Sequence, residues 1–395
     1  MTVTYQRPKE WIIKKFYECI KIKEGQVDPK QEPYSSMFHI GPANIEKDTG
    51  RLLYVNTASE DHQTSGKYMF KSGDVLYGKI NPQLSKVIIA EFEGICSADI
   101  YPLEADGVNI VGQYLKYILL TDDFYKYSVT VSKRTGMPKI NREDLNQYKV
   151  LLPTLEEQKQ IVEILSTWDL AIEKQVKLIE KKKEFKKGLM QRLLSGEVRF
   201  KEFTDKWSIE EIGYFIEEYK EKSTISNQYP VLTSSRNGIV LQKDYFKDNQ
   251  VTTNDNIGYN IIPRDYITFR TRSDDGTFVF NQNKIIDMGI VSYFYPVFKF
   301  KEEINTYFAI TWLNNCIDKQ IRREIVGTSQ LVLSLNKLKK FKINLPSIEE
   351  QNKIAEVLIE ADKEIELLEK ELEALKLQKK GLMQRLLTGE VRVKI

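Results

Sequence analysis

The chain has 395 residues, with 59 Lys plus Arg against 56 Asp plus Glu, a net charge of +3 and a 41% apolar fraction. That length exceeds one ordinary domain, and 21 Tyr with 18 Phe point to folded, mixed or β-rich domains rather than disorder. Three scattered cysteines and two histidines give no disulfide framework or metal site, no apolar run reaches bilayer length, and Met1-Thr-Val-Thr-Tyr lacks a secretory core, so the expected setting is the reducing cytoplasm.

Residues 1–150 are expected to form a first globule. Val87-Ile-Ile-Ala has the β-branched make-up of a strand, Gly73 and Gly94 suit turns, and a helix-like stretch opens at Tyr114. Residues 151–199 then predict a long helix. Thr154 stands three residues before Glu157, the spacing of a capping box, with Pro153 just upstream. Ile161, Leu165, Trp168, Ile172, Ile179, Leu189 and Leu193 fall on one coiled-coil seam, which Gln175, Lys182 and Lys186 interrupt.

Residues 200–343 predict a second globule, with strands at Tyr266-Ile-Thr-Phe-Arg and Val291-Ser-Tyr-Phe-Tyr and a helix opening at Tyr307. Residues 344–395 predict a second long helix, capped by Ser347 ahead of Glu350. Its seam runs Ile354, Leu358, Ala361, Ile365, Leu368, Leu372, Leu375, Leu382 and Leu386, broken by Lys379. Roughly 38 residues at about 1.5 Å each make a rod on the order of 55–60 Å long.

The two helices are copies. Leu152-Pro-Thr-Leu-Glu-Glu-Gln158 returns as Leu345-Pro-Ser-Ile-Glu-Glu-Gln351, and Lys186 to Leu194 returns unchanged as Lys379 to Leu387. Gly196-Glu-Val-Arg199 returns as Gly389-Glu-Val-Arg392, and every pair lies 193 positions apart. The globules share weaker similarity in the same order: Trp11 with Trp207, Gly73–Ile80 with Arg264–Arg270, Gly94–Ser97 with Gly289–Ser292, Tyr114 with Tyr307. The expected fold is therefore α+β, with two globular domains separated by two long antiparallel coiled-coil helices in a pseudo-two-fold repeat. Close identity in the helices beside drift in the globules fits one scaffold presenting two different surfaces.

The Leu-Pro-x-x-Glu-Glu-Gln helix start, the Gly-Leu-Met-Gln-Arg-Leu-Leu-x-Gly-Glu-Val-Arg helix end and Gly73-Asp-Val-Leu-Tyr-Gly-Lys-Ile80 together resemble the specificity subunit of type I restriction–modification systems. The resemblance runs the whole chain in order. It implies target-recognition domains at 1–150 and 200–343, each reading half of a bipartite, asymmetric sequence in double-stranded DNA, and conserved helical spacers at 151–199 and 344–395. The helices would fix the unread spacing and dock two methyltransferase (modification) subunits, which restriction/translocase subunits join. S-adenosylmethionine, and ATP with magnesium for restriction, would belong to those partners and not to this chain. The second Gly-Asp-Val-Leu segment is degraded to Arg264-Asp-Tyr-Ile267, which weakens residue-by-residue transfer there.

The residues suggest no chemistry of the chain's own. Asn81-Pro82-Gln83-Leu84 lacks the second Pro and the aromatic of an adenine-methyltransferase motif, and reads as a turn. No phosphate-cradling Gly-x-x-x-x-Gly-Lys-Ser/Thr loop occurs. Glu180/Lys182 and Glu184/Lys186 lie in a Lys/Glu-rich helix and read as a solvated face. No catalytic, cofactor or metal residue is assigned.

Reading bases needs Arg, Lys, Asn or Gln forks at base edges, with Ser, Thr and Lys on phosphates. In the first globule the candidates are Lys79, Asn81, Gln83 and Lys86 after the strand, and Lys133, Arg134, Thr135 and Lys139 in the turn around Gly136 before the helix. In the second they are Arg236 and Asn237 beside Ser234 and Ser235, then Arg270, Arg272 and Ser273 beside Asp274, and Thr328, Ser329 and Gln330 after Gly327. Tyr77 and Tyr101 read as core aromatics. Near-neutral charge, with 20 basic and 19 acidic residues in 1–150 and 20 and 18 in 200–343, leaves two alternatives open. One is a coiled-coil scaffold carrying two protein-binding domains; the other is an enzyme whose active site the sequence does not reveal.

Overall fold

A computed structural model describes residues 8–133, 136–246, 255–324 and 331–394. By compactness the chain divides into two units, one of residues 1–177 with 369–395 and one of residues 178–368. Both boundaries fall inside long helices, Leu155–Ser195 and Ile348–Leu387. Each unit thus holds one globule, the start of the helix that follows it, and the end of the other helix. Among the described residues no helix is long and apolar enough to cross a membrane.

In the first unit a four-stranded antiparallel sheet has the order Ile20–Ile22, Ile100–Ala105, Val75–Gly78, Val87–Ile89. A five-stranded sheet adds one parallel pair, Phe38–Ile40 with Gly94–Cys96. Gly94 is therefore a strand residue and not the expected turn. A Cβ there would lie 2.6 Å from the Phe38 carbonyl oxygen, so the neighbouring strand demands glycine. Gly73 does occupy a turn, with φ of +93°.

The second unit repeats the four-stranded sheet with Ile216–Tyr219, Val297–Phe300, Ile267–Thr268 and Asn281–Gln282. Here the strand expected over Val291–Tyr295 is corrected: Met288–Val291 ends there and the next strand begins at Val297. Pro296 offers no N–H, and Tyr295 N–H turns back onto the Ser292 carbonyl at 2.9 Å. The aromatic run becomes a turn, with Tyr293 exposed and Phe294 and Tyr295 half-buried. The expected strand over Tyr266–Arg270 shortens to Ile267–Thr268.

Each globule is closed by a two-stranded ribbon that delivers the chain into its helix. Ile12–Lys15 pairs with Lys149–Leu152, and Ser208–Glu211 with Lys342–Leu345. Helix and globule share one core in each unit. Phe16, Tyr114 and Phe124 pack with Ile161 and Leu165 of the first helix and Met383 and Leu386 of the second. Phe298, Phe308 and Trp312 pack with Ile354, Leu358, Leu193 and Leu194. Fully burying such side chains stabilises by about 1.5–3 kcal/mol apiece.

The helices run antiparallel within both units, since contacts step forward along one and back along the other. In the first unit Lys379 meets Asp169, and Gln175 meets Glu371 at 3.1 Å. In the second Lys182 meets Glu364 at 2.6 Å, and Lys186 meets Asp362. Every polar interruption of the seam is thus met by an acid on the facing helix, which fixes the register at positions that apolar residues would leave free to slide.

Candidate nucleic-acid interface

The hydroxyl half of each predicted capping box forms, with Thr154 and Ser347 accepting from Glu157 and Glu350 N–H at 3.3 Å. The carboxylates serve elsewhere. Glu157, 1% exposed, accepts Trp11 Nε1–H at 3.1 Å and the Arg392 guanidinium; Glu350 accepts Trp207 Nε1–H at 3.0 Å and Arg199 at 2.7 and 2.8 Å. Gln158 and Gln351 accept backbone N–H groups of Val111 and Asn305 and donate to the carbonyls of Pro153 and Pro346. The repeated motif is a buried clamp tying the helix start to its globule. Val111 and Asn305 are the N-caps of helices Gly112–Ile118 and Thr306–Cys316, so the expected equivalence of Tyr114 with Tyr307 shifts by one residue. Tyr307 instead does the work of Tyr117: the two phenols donate to Asp362 and Asp169, each at 2.7 Å.

On that frame the first unit gathers two loops that are distant in sequence. After strand Val75–Gly78, Lys79 N–H donates to Asp99, and Asn81 turns the chain with φ of 48°. Asn81 N–H donates to the Pro138 carbonyl at 2.8 Å, Ile140 N–H to Lys79 at 3.0 Å, and Ile80 bridges Lys139. Lys79, Asn81 and Gln83 therefore share a surface with Lys139. Gln83, Lys133 and Lys139 are exposed, while the Lys79 ammonium sits 5.1 Å above the Tyr101 ring. Lys86 differs: it is half-buried and donates to the Pro42 carbonyl, bracing the loop. Arg134 and Thr135 lie outside the described residues. Tyr77 and Tyr101 are core residues, as expected.

Sequence reasoning passed over several neighbours. Arg142 donates to the carbonyls of Ile22 and Lys23 and stacks 5.1 Å from the same Tyr101 ring. A cleft of about 560 Å³ joins Gln83 and Ser85 to Lys47 and to Lys376, Lys379 and Lys380. The last three come from the far end of the chain, so no local pattern could have linked them to Gln83.

The second unit builds the equivalent place from different residues. Leu333 N–H donates to Thr271 as Ile140 does to Lys79, and Arg272–Ser273 pairs with Leu331–Val332. Arg270 and Arg272 are exposed, with the Arg272 guanidinium 4.3 Å from the Phe294 ring centroid. The hairpin Leu232–Ser235/Gly238–Leu241 brings Arg236 to Asp275, while Asn237 N–H donates to Ser235 Oγ at 3.1 Å. Ser273 is buried and donates to Asp275 at 3.0 Å. Backbone N–H donation from Thr277, then Ser273 and Arg236, holds the Asp275 carboxyl far below the usual range. Arg236, Arg270, Arg272 and Ser273 line one cleft together with Ser234 and Asp274. Thr328, Ser329 and Gln330, with Gly327, lie outside the described residues.

The description "type I restriction modification DNA specificity domain" matches residues 8–181 and again 204–377. The EcoDI type I restriction enzyme specificity subunit of Escherichia coli is 37% identical over 172 residues, an alignment spanning 43% of this chain and 38% of that protein. The MjaVIII specificity subunit of Methanocaldococcus jannaschii is 28% identical over 98% of this chain and 94% of its own. Among solved structures, a chain described under complex assembly and conformational transition of the type I R-M system superposes with a TM-score of 0.61 at 16% identity, covering 98% of this chain and all of that one. The S subunit of the type I system from M. genitalium gives 0.54 at 15% identity, covering 100% and 99%. These two likenesses concern the fold. With the specificity-domain description matched twice over most of its length, the chain belongs to the family of type I restriction–modification specificity subunits.

Proposed function

We propose that this chain reads a bipartite, asymmetric DNA sequence, one half with each globule, and carries no catalytic group itself. The observation behind this is the contrast between the two units. The clamp is the same in both, Trp11–Glu157–Arg392 and Trp207–Glu350–Arg199, while the loops it supports differ in almost every side chain. Conserved anchoring beneath divergent exposed forks is what two different half-sites require.

Two methyltransferase subunits dock on the paired helices in this reading, and restriction/translocase subunits join them. Leu170, Phe185, Leu367 and Leu377 are exposed on those helices, an apolar supply that suits protein docking. S-adenosylmethionine belongs to the methyltransferases, ATP and magnesium to the restriction subunits, and the assembly works in the cytoplasm. The same exposed apolar side chains, with a net charge of only +3, also favour a second reading as a scaffold with two protein-binding domains.

The test is co-expression with a modification methyltransferase and genome-wide mapping of N6-methyladenine. One bipartite motif, whose halves change separately when residues 1–150 or 200–343 are exchanged, is the expected result. No methylation by an assembled, cofactor-loaded complex would favour the scaffold.

A further inference from the structure

We infer that the second unit reads a G·C base pair through Arg272, with Arg270 beside it, so that the half-site read by residues 200–343 contains an obligatory guanine contacted in the major groove. The inference rests on the DNA-reading function proposed above and adds the base. Arg270 and Arg272 line a cleft of about 770 Å³ together with Ser234, Tyr245 and Tyr293. The backbone around Arg272 is held on both sides. Thr271 donates N–H and Oγ1–H to the Phe294 carbonyl at 3.1 and 2.9 Å, Leu333 N–H donates to Thr271, and Arg272 pairs with Val332.

The guanidinium lies over the Phe294 ring. Stacking uses the face of that planar group and leaves its N–H donors pointing out from the edge. A fork held in this way loses less rotamer freedom on binding than a free arginine does. The carboxylate nearest in sequence with a defined role, Asp275, already accepts from Arg236, Ser273 and the Thr277 N–H. Neither Arg270 nor Arg272 forms an ion pair among the described residues, although Asp274 lines the same cleft.

Two parallel donors match the O6 and N7 acceptors of guanine, whereas adenine sets an N6–H₂ donor beside N7 and repels the same fork. The first unit makes the opposite choice at the equivalent place. Ile80 occupies the position of Arg272, and the adjacent forks are the amides of Asn81 and Gln83, which suit adenine.

The experiment compares the wild-type chain with Arg272→Lys and Arg272→Ala, each in complex with methyltransferase subunits, by methylation of a duplex library randomised across both half-sites. The wild type is expected to require a G·C pair at one position of the second half-site. Arg272→Lys keeps the charge and loses the fork, so preference at that position should fall about tenfold or more, with the first half-site unchanged. Relaxation at an A·T position would overturn the inference while leaving the DNA-reading function intact. So would an unchanged motif with uniformly weaker binding, the mark of a phosphate contact. Absence of any methylation by the assembled wild-type complex would overturn both. Intact first-half specificity serves as the internal control that each variant folds.

Discussion

Asp169 on the first long helix accepts the Lys379 ammonium of the second, and Asp362, 193 positions after Asp169, repeats the pair with Lys186, 193 positions before Lys379. The pairs differ in what surrounds them. Asp169 also takes Lys116 at 3.3 Å and Tyr117 at 2.7 Å, and both of its lysines are nearly buried, 13% and 12% exposed. Asp362 is half-exposed and has one lysine and one tyrosine.

Removing Asp169 would therefore leave two like charges facing each other in a poorly hydrated place, whereas removing Asp362 frees one lysine that water can reach. Asp169→Ala is expected to cost about 3 kcal/mol and Asp362→Ala about 1 kcal/mol, measured by urea unfolding of the full chain. Equal losses would mean that Lys116 contributes nothing to the helix register.

The same carboxylate gives a pH signature. Burial alone would raise its pKa, but Lys116 and Lys379, with hydrogen bonds from Lys379 and Tyr117, outweigh burial and hold it below 3.8. A depressed folded-state pKa means that the contribution is complete above the unfolded value, near 3.8, and disappears as pH falls through the folded one. Wild type and Asp169→Asn should therefore differ most above about pH 4 and converge in stronger acid. Curves that stay parallel down to pH 2 would remove Asp169 from the acid response.

Much of this architecture was legible in the sequence because it is periodic or repeated. The seam from Ile354 to Leu386, the offset of 193 and the two-globule plan all follow from patterns that survive without knowledge of the partner surface. What stayed hidden depends on long-range approach. Glu157 has the spacing of a capping residue, and only the arrival of Arg392 and Trp11 from the chain's two ends makes it a clamp. The Tyr293–Phe294 turn has strand composition, and Pro296 with a local hydrogen bond overrides it. The candidate site was half legible: by residue type alone the sequence picked out Lys79 and Asn81, which share one loop pair, and Arg272, which lines a cleft, while Lys86 matched the pattern yet braces the loop on Pro42. No sequence signal could set Lys376 near Gln83.

The clamp makes a direct stability prediction. Glu350 is 1% exposed and its carboxylate is neutralised by Arg199 through two hydrogen bonds. Arg199→Ala leaves that charge buried with only the Trp207 N–H, and is expected to destabilise the second unit by roughly 3 kcal/mol. The companion variant Arg199→Ala/Glu350→Gln removes the uncompensated charge and should recover a good part of the loss. Denaturant midpoints of the three proteins decide it; a double variant no better than the single would mean that lost packing, and not stranded charge, is responsible.

Phosphate and base contacts in the first unit should separate cleanly. Lys139 is exposed beside the Asn81 turn and Lys133 is exposed just past the helix Asp122–Val131, whereas Asn81 and Gln83 offer amides able to fork onto a base edge. Lys133→Ala/Lys139→Ala is expected to weaken binding to all duplexes alike and to lower the slope of log K against log salt by about 2, one for each phosphate released. Asn81→Ala/Gln83→Ala should leave that slope unchanged and relax the first half-site alone. Anisotropy titrations with the methylated motif duplex and a scrambled one, from about 50 to 200 mM salt, distinguish the two. A lysine variant that keeps the full slope would move the phosphate track to another surface, with the Lys47, Lys376 and Lys380 cleft first in line because it opens beside Gln83.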